Sequence, residues 1–194
     1  LISKGFDGTG LDYTGSSFFN TGKRYDADTT PFDNVGTAKL DIDGVAFAAG
    51  KNNLLARTNG KGRPLNLGGD LRLIVSAKNT DLGTRLLQAD NIATFNAGKT
   101  AVAAVSNPYK GSAKLVVWPW LDAMGMADVW FLADFSAPMK PFIHQELIPW
   151  TYYTVDNPND SYVTRNHKFI YQIYSAMALG YGFPETIYGS DGSA

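Results

Sequence analysis

The sequence predicts an α+β fold in which a sheet carries helices over the first two thirds and long strands dominate the last. Three observations carry this. Helix-like and strand-like patterns alternate from about residue 39 to residue 118, as they do where helices pack on a sheet. From residue 128 onward, three extended segments follow one another with no helical pattern between them. Finally, 194 residues, 44% hydrophobic and 13% aromatic, suffice for one large domain or two small ones with a sizeable core.

Taken in order, residues 5–36 are rich in Gly, Asp, Thr and Asn around isolated aromatics (Phe6, Tyr13, Phe18, Phe19, Tyr25, Phe32), which predicts a long irregular loop anchored by its rings. Leu40, Ile42, Val45, Ala46, Ala49 and Ala56 then suggest a helix over 39–57, weakened by Gly44 and Gly50 and closed by "NGKG" at 59–62. "LRLIV" at 71–75 reads as a buried strand, Thr80 as the cap of a short helix ending near Asp90, and "AKLVVW" at 113–118 as another strand. The last third holds "DVWFLADF" (128–135), "FIHQELI" (142–148, fenced by Pro141 and Pro149) and "HKFIYQIYSAMALG" (167–180). In the last of these Phe169, Tyr171, Ile173, Met177 and Leu179 share one pleat face, which suits a core. A strand of this length, roughly 40 Å at about 3.3 Å per residue, is long for a small domain, and its sparse charge makes a covering neighbour the economical explanation. The opening "LISKGFDGTG" has neither an initiator Met nor a signal-peptide pattern, so the chain is expected to begin partway through a longer protein.

Composition narrows function. Seventeen Lys and Arg against eighteen Asp and Glu leave a net charge of −1, so no overall basic field exists for tight binding to a phosphate backbone. The absence of cysteine removes disulfides, thiolate metal sites and cysteine nucleophiles. No apolar run approaches the roughly 20 residues of a membrane-spanning helix.

The chemical motifs fail one by one. His144 and Glu146 would lie about 7 Å apart on one strand face, but a His-x-Glu zinc deaminase site needs two downstream cysteines. His167 has no second ligand at i+3 or i+4. The plainer reading is a strand whose Phe142, His144 and Glu146 face partly toward solvent while Ile143 and Leu147 face the core. "NAGKT" at 96–100 lacks the first glycine of a phosphate-binding loop, and "DIDG" (41–44) and "DAD" (26–28) lack the continuation of a calcium loop. Asn159, Asp160 and Ser161 form a glycosylation sequon that arises often by chance. Trp118, Trp120, Trp150, Tyr152 and Tyr153 fit either a stacking platform for sugars or bases, or core and subunit-interface positions. The inventory describes an assembly or binding protein, with no catalytic residue, cofactor or metal site.

Three stretches in order, "GRPLNLGGDLRLIVS" (62–76) leading to "LLQAD" (86–90), "NPYKGSAKLVVWPWL" (107–121) and "WFLADFSAPMKPFIHQELIP" (130–149), resemble the major head subunit of phage Mu-like viruses and prophages. "FDG" (6–8), "FFNTG" (18–22) and "GYGF" (180–183) fall where that family carries similar short motifs, whereas "TGKRYDADTTPF" (21–32) departs from it. The resemblance implies the tailed-phage major capsid fold of the Hong Kong 97 type. Residues 1–36 would follow a missing N-terminal part, 37–125 would form an axial-type α/β domain, and 126–194 a peripheral-type domain with long strands. It further implies a self-assembling shell protein around double-stranded DNA, with no active site. Its partners would be copies of itself in hexamers and pentamers, portal, scaffold or protease and decoration proteins, and packaged DNA held weakly and without sequence preference. Its place would be the virion, assembled in the bacterial host cytoplasm. Trp150, Tyr152 and Tyr153 are the candidate subunit interface. The alternative is a carbohydrate-binding or adhesion module using the same aromatic tract.

Overall fold

The computed structural model describes residues 1–22, 31–59, 61–95 and 101–194. The "DAD" and "NAGKT" segments, and most of the loop that departs from the family pattern, lie outside the described residues. The chain divides into two compact units, Leu1–Pro141 with Tyr181–Ala194, and Phe142–Gly180.

The first unit is built on a five-stranded mixed sheet. Its members are β1 (Val35–Gly36), β2 (Leu71–Val75), β5 (Lys114–Val117), β6 (Trp130–Asp134) and β9 (Ile187–Ser190), in the order β1-β9-β6-β2-β5. β3 (Asn91–Phe95) and β4 (Ala101–Ser106) form a separate antiparallel pair. β6 runs antiparallel to both β2 and β9, while β1 pairs parallel with β9 and β5 parallel with β2. The register places Leu73 opposite Leu132 and Val75 opposite Trp130, and since directly opposed residues share a face, these side chains line one side of the sheet. Helices α2 (Val45–Leu55) and α3 (Thr80–Gln88) cover that side with Phe47, Leu54, Leu86 and Leu87. On the other side Phe131 meets Phe6 and Phe19, whose rings stack at 4.4 Å. All five residues of β6 are therefore buried, which is why "WFLAD" carries no alternation.

Two glycines set these contacts. A Cβ at Gly50 would meet the Trp130 and Tyr188 rings at 2.9 Å, so α2 can lie close to the sheet only with glycine there. A Cβ at Gly189 would meet Phe19 at 2.7 Å and Phe131 at 3.0 Å. Gly50, which weakens the helix in isolation, is what the packing requires.

The sequence reading needs several corrections. The first long helix starts only at Val45, because Gly44 adopts φ 73° at its N-cap. Asn79, not Thr80, occupies the N-cap of α3. The irregular opening holds a short helix, α1 (Ile2–Phe6), and Phe18 and Phe19 anchor it as expected, both fully buried. The boundary drawn at 125/126 does not divide the chain: β6 and β9, from the expected peripheral part, belong to the same sheet as β2 and β5. A change in local pattern marks where helices stop, not which sheet a strand joins. Between β5 and β6, Trp120–Ala123 forms the short helix α4.

Candidate contact surface

The second unit is a two-stranded ribbon of β7 (Phe142–Val155) and β8 (Ile170–Tyr181), with helix α5 (Ser161–Asn166) between them in sequence. β7 runs straight through Pro149, so the proline is no fence, and the β-branched and aromatic run "WTYYTV" continues the strand to Val155. Asp160 opens α5 by accepting a hydrogen bond from the Tyr162 N–H at 2.8 Å, and His167 closes it in the left-handed region at φ 51°.

Exposure is the main property of this ribbon. Leu147 is 75% exposed, Trp150 71% and Ile173 64%, and Ile143, Tyr152, Tyr153, Tyr171, Met177 and Leu179 are exposed as well. The expectation that Ile143 and Leu147, and the face of Phe169, Tyr171, Ile173, Met177 and Leu179, pack into a core is therefore wrong. Two strands make one thin layer, and a layer gains a core only from a second layer laid on it. Period-two geometry puts Trp150 and Tyr152 on one face of β7 and Tyr153 on the other, so the three do not form one platform. His144 and Glu146 are exposed on β7. Among the described residues, no group of three His, Asp or Glu side chains is placed to hold a metal ion.

The two free edges differ. Pro149 lies mid-strand in β7 and has no N–H to offer a further strand. β8, "IYQIYSAMALGY", has neither a proline nor a charge over twelve residues. It keeps every backbone donor and carries none of the charges with which edge strands are usually protected.

The polar groups that organise the first unit escaped the sequence reading. Arg57, 3% exposed, donates through Nη1 to the carbonyls of Pro184, Glu185 and Ile187 at 3.0, 2.6 and 2.8 Å, and through Nη2 to Asn53 Oδ1 at 2.9 Å. It ties the end of α2 to the segment that leads into β9. Asp134, fully buried at the end of β6, accepts from the N–H groups of Gly68, Asp70 and Ser136. Burial alone would raise its carboxyl, but these three donors hold it below the usual carboxylate range. A lone acid at the end of an apolar strand was the available signal; nothing local marks Arg57 as the tie to β9, because the carbonyls it binds there lie about 130 residues away. At the start of α2, burial and then the hydrogen bond and charge shared with Asp43 push Asp41 up to about 6.

The segment holding β6, the ribbon and β9 is also the one that comparison with known families picks out. Residues 122–193 match the Mu-like prophage major head subunit gpT. The gpT match takes in the whole ribbon and both strands that flank it in sequence, and of the stretches that carried the resemblance, 130–149 and 180–183 fall inside it. The stretches at 62–76, 86–90 and 107–121 lie outside the gpT match. No curated protein matches the chain. Among the described residues, no helix is long and apolar enough to cross a membrane.

Proposed function

We propose that this chain is a structural, non-enzymatic major capsid subunit that self-assembles into an icosahedral head around double-stranded DNA, with the tailed-phage fold of the Hong Kong 97 type. The observation that carries this reading is that the gpT match covers a ribbon whose apolar side chains are exposed on both faces. A solitary soluble domain rarely tolerates such a surface, and a subunit that meets many copies of itself can use it. The sheet-bearing unit would be the axial-type part and the ribbon the peripheral-type part. Trp150, Tyr152 and Tyr153 would lie in contacts between subunits in hexamers and pentamers, and β8 would be the edge that accepts a further strand. Portal, scaffold or protease and decoration proteins would complete the particle in the host cytoplasm. Contact with packaged DNA would be weak and independent of sequence.

Negative-stain microscopy of the full-length protein tests the proposal. Closed shells are expected; dispersed monomers that bind oligosaccharide would favour an adhesion module instead. The division of Trp150 and Tyr152 from Tyr153 between two faces supports the shell, since a sugar platform needs its rings on one side.

A further inference from the structure

The free edge of β8 places strict demands on whatever pairs with it. Alternate residues of a strand turn their N–H and C=O groups to opposite edges, so half of the residues of β8 offer theirs away from β7. A full-length partner must span twelve residues, bring no charge against an uncharged strand, and keep its donors. Among the described strands only β7, with fourteen residues, approaches that length, and it carries His144, Glu146 and Pro149. The β8 strand of a second copy meets every demand.

Its sequence is also complementary to itself when run antiparallel. The outward-turned groups belong to the same residues in both copies, so the strands can meet only in a register centred on one residue, Ser175 or Ala176. Centring on Ser175 sets Ile170, Gln172 and Tyr174 of one copy opposite Gly180, Ala178 and Ala176 of the other, a larger residue against a small one each time. On the other face Tyr171 opposes Leu179 and Ile173 opposes Met177, apolar against apolar, and the two Ser175 hydroxyls meet at the centre, where they can hydrogen-bond. Centring on Ala176 would instead oppose two alanines and set Ser175 against Met177.

We propose that two copies of the chain join through β8, antiparallel about a two-fold axis at Ser175, into one four-stranded sheet of order β7-β8-β8-β7. The proposal rests on the shell-subunit reading for the presence of a second copy and names the contact that β8 makes with it. A twelve-residue edge is roughly 40 Å long and about 10 Å thick, so pairing covers about 400 Å² on each copy. The total of about 800 Å² is less than the roughly 1,200–2,000 Å² of a stable interface, but the ladder adds about 10 backbone hydrogen bonds, as many as such an interface holds. The contact is therefore weak alone and specific in register. It also closes on itself, because both outer strands of the joined sheet are β7, where Pro149 interrupts further pairing.

The chain has no cysteine, so single introduced cysteines report the pairing directly. Opposed residues have Cα atoms about 4.5–5.5 Å apart, within reach of a disulfide, whereas residue 171 of one copy opposes residue 179 of the other and lies about 26 Å from its own equivalent. Under copper-phenanthroline oxidation, Ser175→Cys is expected to form a covalent dimer roughly tenfold faster than Tyr171→Cys or Leu179→Cys alone. Those two variants, each silent by itself, should cross-link when mixed, and this arm decides the matter even where Ser175→Cys fails to fold. A silent mixture, or Ser175→Cys dimerising no faster than Tyr171→Cys, overturns the pairing. Faster dimers from Ala176→Cys than from Ser175→Cys overturn the register. Shells that form without the Ser175 cross-link overturn the pairing and leave the shell reading in place; the cross-link in a full-length protein that forms no shells overturns the shell reading and leaves the pairing.

Discussion

Arg57 shows how much one side chain can organise. Its guanidinium donates to the carbonyls of Pro184, Glu185 and Ile187, so Arg57→Met would remove a donor from each, leaving Pro184 only the Asn34 amide and the Ile187 N–H, and is expected to cost on the order of 3 kcal/mol, read from urea unfolding. Arg57→Lys should recover only part of this, since one ammonium cannot reproduce the fork. The acids respond to pH in opposite senses. Asp41, raised to about 6 from an ordinary value of 3.8, binds its proton more tightly in the folded state, so it lowers stability as pH rises from about 4 through 6. Asp41→Asn should remove that decline, worth on the order of 1 kcal/mol after solvent screening, in melts recorded at pH 4.5 and 7.5. Asp134 is held low by its three N–H donors, so its contribution is present above pH 4 and fades as pH falls further. None of this was legible in sequence beyond the odd acid ending "WFLAD", because a buried ion's value depends on partners that only the tertiary fold supplies.

Among the elements, β6 was the most legible and the ribbon the least. The segment at 128–135 was expected to be extended and is a strand over 130–134, whose unbroken apolar run fits its burial on both faces. The alternation in 168–180 announces two faces but not what lies against them, which is why Ile173 reads as core and is exposed. Its substitution should therefore leave folding alone. Ile173→Asp and Gln172→Asp are each expected to change unfolding free energy by less than about 0.5 kcal/mol, while Ile173→Asp, by charging an apolar contact face, should depress particle yield. The glycines under the sheet behave differently. Gly50→Ala gains roughly 1 kcal/mol of helix propensity against an overpacking cost of about 1–3, so a net loss of up to about 2 kcal/mol is expected. Gly189→Ala meets Phe19 and Phe131 with no such offset and should lower the melting temperature more.

At the scale of the whole molecule, the two associations expected of a shell protein should part company with salt. β8 carries no charge, so subunit association through it is apolar and should persist or strengthen in ammonium sulfate, followed by sedimentation. Under the proposed shell role, contact with DNA through scattered Lys and Arg would weaken steeply over the same range. Association that dissolves with added salt would point to ion pairs instead. The α+β class and the run of long strands were legible from pattern alone. The partition into units was not, since β9 rejoins the first sheet from beyond the ribbon, and a pairing of that sequence separation leaves no local trace.

That return of β9 has a consequence for the order of events during synthesis. The strand lies between β1 and β6, hydrogen-bonded to both, yet the ribosome makes it after every residue of β7 and β8. The first sheet therefore stays open, its β6 edge unpaired and the carbonyls of residues 184–187 not yet brought to Arg57, until the last stretch of the match has left the exit tunnel, after the ribbon. A nascent chain thus presents the exposed apolar side chains of its ribbon before its own fold is closed, and under the proposed shell role premature association is expected on polysomes crowded with such chains. Slowing translation downstream of residue 181 should lengthen that window and increase the insoluble fraction, whereas the same pause placed before residue 142 should not.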